Sequence, residues 1–252
     1  MARFFVDILP REGTFCSLTG ENAEHAKVLR LKPGEAVTLC DGAGTDCSCA
    51  LAEGLSLKAG PSLPCPAEPR ARVRVYVAFP KADKAEHVIQ KAVELGAAEI
   101  ILFPSRYCVS RPDDRSLGKK LERWQRISRS AAEQSGRGVI PPVRALNSYA
   151  EALAEAAKAD APILFYENEE RLTLHEALAE IQGGGLRSDR PAAIQEVLVS
   201  LMTGSEGGFS EEEILRAREA GLKICTLGPR ILRCETAPLA GLTAVMYALG
   251  EL

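Results

Sequence analysis

The stretches "TGSEGGFS" (residues 203–210) and "LGPRILRCETAPLAG" (227–241) each follow a short apolar run and each open a helix-like segment. The runs before them, "EVLVSLMTG" (196–204) and "KICTLG" (223–228), read as strands. In an open parallel sheet, ligands bind beyond the carboxyl ends of the strands, where the loops converge. Gly204, Gly207 and Gly208 permit positive φ or a close backbone approach, so the first turn can present amide N–H and C=O groups to a flat, polar ligand. A tight strand-to-helix connection without a ligand would use the same glycines, and glycine alone does not separate the two.

The common phosphate cradles match poorly. A dinucleotide fingerprint, G-x-G-x-x-G, opens the first βα turn and is followed by an acidic residue about 20 positions later. Here the order is G-x-x-G-G, at the fourth strand of its domain. A Walker loop ends in Lys-Ser/Thr, which is missing after these glycines.

Outward from these turns, apolar strands alternate with amphipathic helices. "VRVYVAFP" (73–80) precedes a helix from about 83 to 95, stopped by Gly96; "EIILFPS" (99–105) precedes a long helix from about 116 to 134; "PILFYE" (162–167) is a further strand. Near-continuous apolar runs fit strands covered on both faces, hence a parallel α/β sheet. Ser210 and Glu213 have the spacing of a capping box, and Pro238 sits where a first-turn proline belongs in the last helix. "GGG" (183–185) reads as a flexible loop. Upstream, residues 3–9, 13–18, 36–42 and 47–55 read as short strands interrupted by the helix "ENAEHAKVLR" (21–30), which fits a small barrel or sandwich. "GPSLPCPAEPR" (60–70) carries four prolines in eleven residues and reads as a linker, so the expected domains are 1–70 and 71–252.

The chain has 252 residues, 46% of them hydrophobic, enough to bury a sizeable core. No run approaches the roughly 18 apolar residues of a membrane helix, and "MARFFVDILPREG" is too polar and short for a secretory signal. No membrane partner and a cytoplasmic setting are expected. The eight cysteines are scattered and the three histidines stand alone, so buried, reduced thiols are expected and no metal site. A formal charge of −3 hides an asymmetry: residues 105–137 carry nine Lys/Arg against four Asp/Glu, whereas 151–219 carry six against fifteen. The basic island fits a polyanion contact; a solvated helix that keeps the protein soluble has the same composition.

"AAEQSGR" (131–137) with "IPPV" after it, then "GSEGGFS" and "LGPRILRCETAPL", in this order and spacing, resemble the ribosomal RNA methyltransferases that modify uridine N3 in small-subunit RNA, within the SPOUT (knotted) superfamily. The resemblance spans nearly the whole chain. It implies an N-terminal PUA-like RNA-binding β-barrel and a C-terminal SPOUT α/β domain whose end forms a trefoil knot. Knots are otherwise essentially absent from proteins, so no pattern argument derives one. The implied cofactor is S-adenosyl-L-methionine, the implied substrate 16S rRNA or the small ribosomal subunit, and the implied assembly a homodimer. Carried onto this sequence, Gly204, Glu206, Gly207 and Gly208 form one wall of the cofactor pocket, and Leu227, Gly228, Ile231 and Leu232 another. Glu235, Thr236 and Ala237 stand beside the methionine moiety, and Tyr166 and Glu167 make a third wall. Glu206 and Glu235 also read as acceptors that pin their loops, the reading we prefer for Glu206. Two residues depart from the family: Ser205 stands where proline is usual and Cys234 where threonine is usual.

Uracil N3 exposes a lone pair only on deprotonation, and the charge then spreads onto the flanking carbonyl oxygens, which an arginine would stabilise. Arg137 is the expected residue, with Arg230 or Arg233 sharing the role. An arginine just after the helix-ending Gly136 also serves as an ordinary C-terminal dipole partner. N3 lies on the Watson–Crick edge, so the target must be unpaired or flipped out and RNA must be held as well. Arg106, Arg111, Arg115, Lys119, Lys120, Arg123, Arg126 and Arg129 offer a basic surface, with Arg3, Arg30 and Lys32 on the barrel. Residues 119, 123 and 126 share one helical face. Two other readings stand beside this one: an RNA-binding protein with an inactive methyltransferase domain, and a nucleotide-dependent enzyme on an ordinary, unthreaded Rossmann sheet.

Overall fold

The computed structural model of the chain describes residues 2–182 and 197–252. The "GGG" loop expected at 183–185 lies outside the described residues. The chain divides into two compact units, residues 1–68 with 129–140, and 69–128 with 141–252.

The first unit holds strands β1 (Ala2–Phe5), β2 (Phe15–Ser17), β3 (Ala36–Cys40), β4 (Thr45–Leu51) and β5 (Ser56–Pro64), and helix α1 (Gly20–Val28). They form one five-stranded sheet in the order β1-β3-β4-β5-β2, in which β1 runs parallel to β3 and the other pairs are antiparallel. Its core is Phe4, Leu18, Ala26, Val37, Leu39, Leu51 and Leu57, with Cys47 and Cys49 buried among them. The first half of the proline-rich stretch expected to be a linker is in fact the end of β5. Two features admit its prolines. The partner β2 reaches only Lys58, and the register against β4 shifts between Cys47 and Cys49, so Pro61 and Pro64 lie where amide donors are not all required.

The second unit is built on β6 (Arg72–Ala78), β7 (Glu99–Phe103), β8 (Val143–Ala145), β9 (Ala161–Phe165), β10 (Leu198–Thr203) and β11 (Lys223–Cys225). All pairs are parallel, in the order β11-β9-β10-β6-β7-β8. The helices are α2 (Ala82–Glu94), α3 (Asp114–Ser135), whose residues from 129 onward belong to the first unit, α4 (Tyr149–Ala156), α5 (Leu174–Gln182), α6 (Glu211–Glu219) and α7 (Ala237–Ala248). Strand residues alternate between two buried faces, as a doubly covered sheet requires. Tyr76, Ala78, Ile101, Phe103, Leu164 and Met202 pack with α4 and α6. Val75, Val77, Leu102, Ile163 and Leu201, equally buried, face the other way, where α2, α5 and α7 pack together. At the N-terminal ends of β6 to β8, Arg74, Arg144, Glu99 and Glu155 form an ion network, and the Tyr76 hydroxyl donates to Glu155 (2.9 Å).

Local signals explain the element ends. Gly96 closes α2 at φ 92°, a left-handed position that favours glycine. Ser210 accepts from the Glu213 amide while Glu213 accepts from the Ser210 amide, a complete capping box on α6. Pro238 occupies the first turn of α7, where no amide donor is needed. Among the described residues no helix is long and apolar enough to cross a membrane.

Candidate functional site

The loops after β9, β10 and β11 converge at the carboxyl edge of the second unit's sheet and enclose a cavity of about 750 Å³. The loop after β10 is a tight turn in which the Gly208 amide donates to the Ser205 carbonyl (3.0 Å), with Gly208 at φ 66°. Its glycines are sterically required. A Cβ on Gly204 would lie 2.9 Å from the Gly208 backbone, and one on Gly207 would lie 2.7 Å from Tyr107 Cβ. A Cβ on Gly208 would strike the Glu167 carboxylate at the end of β9. After β11, Gly228 (φ 101°) turns the chain, and the Thr226 hydroxyl accepts from its amide (3.2 Å).

Most of the expected cofactor residues meet at this cavity. Gly204, Glu206, Gly208, Leu227, Gly228, Ile231, Leu232 and Ala237 line it, as do Tyr166, Glu167, Arg230 and Arg233. Gly207 instead packs against Tyr107. Glu235 and Thr236 stand just outside, Glu235 tied to Lys84 (3.1 Å) and Thr236 at the N-cap of α7 without a side-chain cap bond. Sequence reasoning missed Lys84, which reaches the cavity from α2, and gave no ligand-facing part to Ser205 or Cys234, which also line it.

Glu206 accepts from the Lys81 amide (3.1 Å) and pairs with Lys84 (3.3 Å), so it pins its loop to the start of α2. Burial alone would raise the Glu206 carboxyl; the Lys81 amide, its own amide and Lys84 outweigh burial and hold it below the usual range. Glu235 is likewise held low, its own amide and Lys84 overcoming desolvation. Hydrogen bonding to Glu235 and then Glu206 raises Lys84, so the ammonium stays charged throughout the neutral range. Cys234 donates its thiol to Glu235 (3.3 Å) and accepts from Lys84 (3.5 Å). Burial, reinforced by Glu235, pushes that thiol up to about 12, so it is a neutral group rather than a nucleophile. Ser205 is 5% exposed and its Oγ finds no hydrogen-bond partner among the described residues. Glu169, which also lines the cavity, is buried and engaged by Arg218.

The expected catalytic arginines belong to different units. Arg230 and Arg233 are exposed on the loop after β11 and make no ion pair among the described residues. Arg137 belongs to the first unit and is 4% exposed. Its Nε and NH2 donate to Glu68 (3.3 and 2.8 Å), whose Oε1 also accepts from the amides of Gly138 and Val139. These contacts tie the guanidinium to the segment around Glu68.

The expected RNA contacts also divide. Arg111, Arg115, Lys119 and Arg126 are exposed in the second unit. Lys120 is half-buried, Arg123 pairs with Glu86, and Arg106 with Glu212. In the first unit Arg30 and Lys32 are exposed, Arg30 at φ 55°. Arg3 forms a double hydrogen bond with Asp46 with its side chain 10% exposed, and Arg129 stacks over Phe5 at 5.7 Å. Those two guanidinium groups hold the unit together. Among the described residues, no cluster of His, Cys, Asp and Glu could hold a metal ion.

A family model described as an RNA methyltransferase domain matches residues 67–246, and one described as an RNA methyltransferase PUA domain matches 18–56. Ribosomal RNA small subunit methyltransferase E of Bacillus subtilis (strain 168) is 34% identical over 256 residues, covering 98% of this chain and 96% of the relative. The protein of that name from Mycobacterium tuberculosis is 33% identical, covering 96% and 90%. The crystal structure of a ribosomal RNA small subunit methyltransferase E from Neisseria gonorrhoeae, bound to S-adenosyl methionine, superposes with a TM-score of 0.80 at 31% identity, over 98% of this chain and 97% of that one. The chain belongs to the ribosomal RNA small subunit methyltransferase E family of RNA methyltransferases.

Proposed function

We propose that the cavity holds S-adenosyl-L-methionine and that the protein transfers its methyl group to N3 of a uridine in 16S rRNA, in the decoding region of the small ribosomal subunit. The observation that carries this reading is the meeting of the loops after β10 and β11 around one cavity of about 750 Å³, within the usual range for small-ligand sites. The residues fit the cofactor. Bare backbone at Gly204 and Gly208 and apolar Leu227, Leu232 and Phe165 suit a purine that needs amide contacts at its edge and hydrocarbon on its faces. Glu167 and Glu170 carry carboxylates with no ion partner among the described residues, which suits a cationic ligand.

When bound, the cofactor supplies a methyl group already activated on a sulfonium. What falls to this chain is positioning and charge. Arg230 and Arg233, free of ion pairs at the cavity mouth, are assigned to stabilising the uracil anion through its carbonyl oxygens. Arg137 is assigned to holding its own unit through Glu68. Cys234 keeps a polar contact with Lys84 and Glu235, and this favours an active enzyme over an inactive RNA-binding relic.

The trefoil knot, the homodimer and the cytoplasmic setting belong to the same proposal. The dimer is supported by the outer side of α7, where Leu239, Ala240 and Ala244 are half-exposed and Tyr247 is 76% exposed. RNA contact is assigned to Arg111, Arg115, Lys119 and Arg126, with Arg30 on the first unit. The test is transfer of labelled methyl from the cofactor to small-subunit RNA, free and in the assembled subunit, followed by mass-spectrometric mapping. Methylated uridine N3 is expected. Absence of cofactor binding by calorimetry, or a methyl group on another atom, would overturn the reading.

A further inference from the structure

Lys84 stands where three segments distant in sequence meet. Its ammonium lies 3.1 Å from Glu235 Oε2, 3.3 Å from Glu206 Oε1 and 3.5 Å from Cys234 Sγ. Glu206 belongs to the glycine turn after β10, Cys234 and Glu235 to the approach to α7, and Lys84 itself to α2. A lysine has three N–H donors. Here one reaches Cys234 and the charge pairs with both Glu206 and Glu235, so the ammonium is tied to both walls of the cavity. Exposed ion pairs couple weakly, but these side chains retain 24%, 22% and 21% of their exposure, and one cation serves two carboxylates. Without it, Glu206 and Glu235 would face each other as like charges across the seam between the walls.

We infer that Lys84 is a positioning residue for cofactor binding: it braces the glycine turn against the segment leading into α7 and so sets the spacing of the two walls. The inference rests on the reading of the cavity as the S-adenosylmethionine site.

The experiment measures S-adenosylmethionine affinity by calorimetry, without RNA, for the parent, Lys84→Met, Lys84→Arg, Glu206→Gln and the double variant Lys84→Met/Glu206→Gln. Melting without cofactor is recorded for each. Lys84→Met is expected to weaken binding by about tenfold, the scale of one or two charge-assisted hydrogen bonds, and Lys84→Arg to restore most of it. The double variant should bind about as well as the weaker single one, because both substitutions break one brace. Affinity of Lys84→Met within about twofold of the parent, or losses that simply add, would overturn the inference. If Lys84→Met does not fold, Glu206→Gln and Glu235→Gln, which keep side-chain shape, decide it: unchanged affinity in both overturns it. A parent that binds no cofactor would overturn the functional reading instead.

Discussion

Replacing Arg137 by alanine separates two jobs for one side chain. The Arg137 side chain is 5% exposed and that of Glu68 19%, and two guanidinium contacts join them. Removing one partner of a buried pair costs about 3–5 kcal/mol, because the other charge is left behind. Here the amides of Gly138 and Val139 still serve the Glu68 carboxylate, and a fifth of its surface still meets water. The loss therefore falls at the lower end, about 3 kcal/mol. For a chain of this size each kcal/mol moves the melting temperature by about 2–4 °C, so a drop of roughly 6–12 °C is expected by calorimetric scanning. Turnover per folded molecule, measured well below the transition, should stay near the parent's. Glu68→Gln should give a smaller shift of the same sign. An Arg137→Ala protein that melts like the parent but has lost turnover would refute the clamp and return Arg137 to the chemistry.

Other substitutions test neighbouring statements. Gly207→Val forces a side chain against Tyr107 and should abolish cofactor binding while leaving the circular dichroism spectrum unchanged; parental affinity would remove that turn from the pocket. Ser205→Ala deletes a buried hydroxyl without a partner and should stabilise the chain by up to about 1 kcal/mol in urea; a clear loss would mean the hydroxyl is satisfied. Glu155 is held below the usual carboxyl range because Arg144, Tyr76 and Arg74 outweigh the upward push of burial. A depressed carboxyl contributes stability that is present above its unfolded value of about 4.5 and lost as pH falls through the folded value. Glu155→Gln should therefore destabilise at neutral pH and progressively less below about pH 4.5; a pH-independent difference would show that charge is not the cause. Lys119→Ala and Arg126→Ala should each lower RNA affinity and reduce the salt slope by about 1; an unchanged slope would take α3 out of the RNA contact.

The alternation of strands and helices in the second unit was legible because its strands are near-continuous apolar runs, and the two turns that line the cavity because glycine and helix-start signals coincide. β8 escaped because it has three residues and a central arginine, Arg144, whose charge is met by Glu99 and Glu155 from other elements. α4 did carry a signal, Ser148 capping the Glu151 amide, in an alanine-rich stretch of low contrast. Proline density marked residues 60–70 as a linker, since nothing local reveals that β5 has a short partner and a register shift there. Lys84 and the Glu68 clamp were invisible for the same reason. Their meaning lies in contacts with residues 206, 234 and 235, and with residue 137, and only the folded chain brings these together.

The strand order has a consequence for how the molecule is made. β6 sits mid-sheet, with β7 on one side, which follows it closely in sequence, and β10 on the other, complete only at residue 203. During synthesis the nascent polypeptide emerges from the ribosome with one edge of its central strand unpaired for well over a hundred residues. Such parallel, non-local pairing is slow and exposes aggregation-prone surface meanwhile. Chaperone demand in the cell should therefore concentrate on the interval before β10 is released.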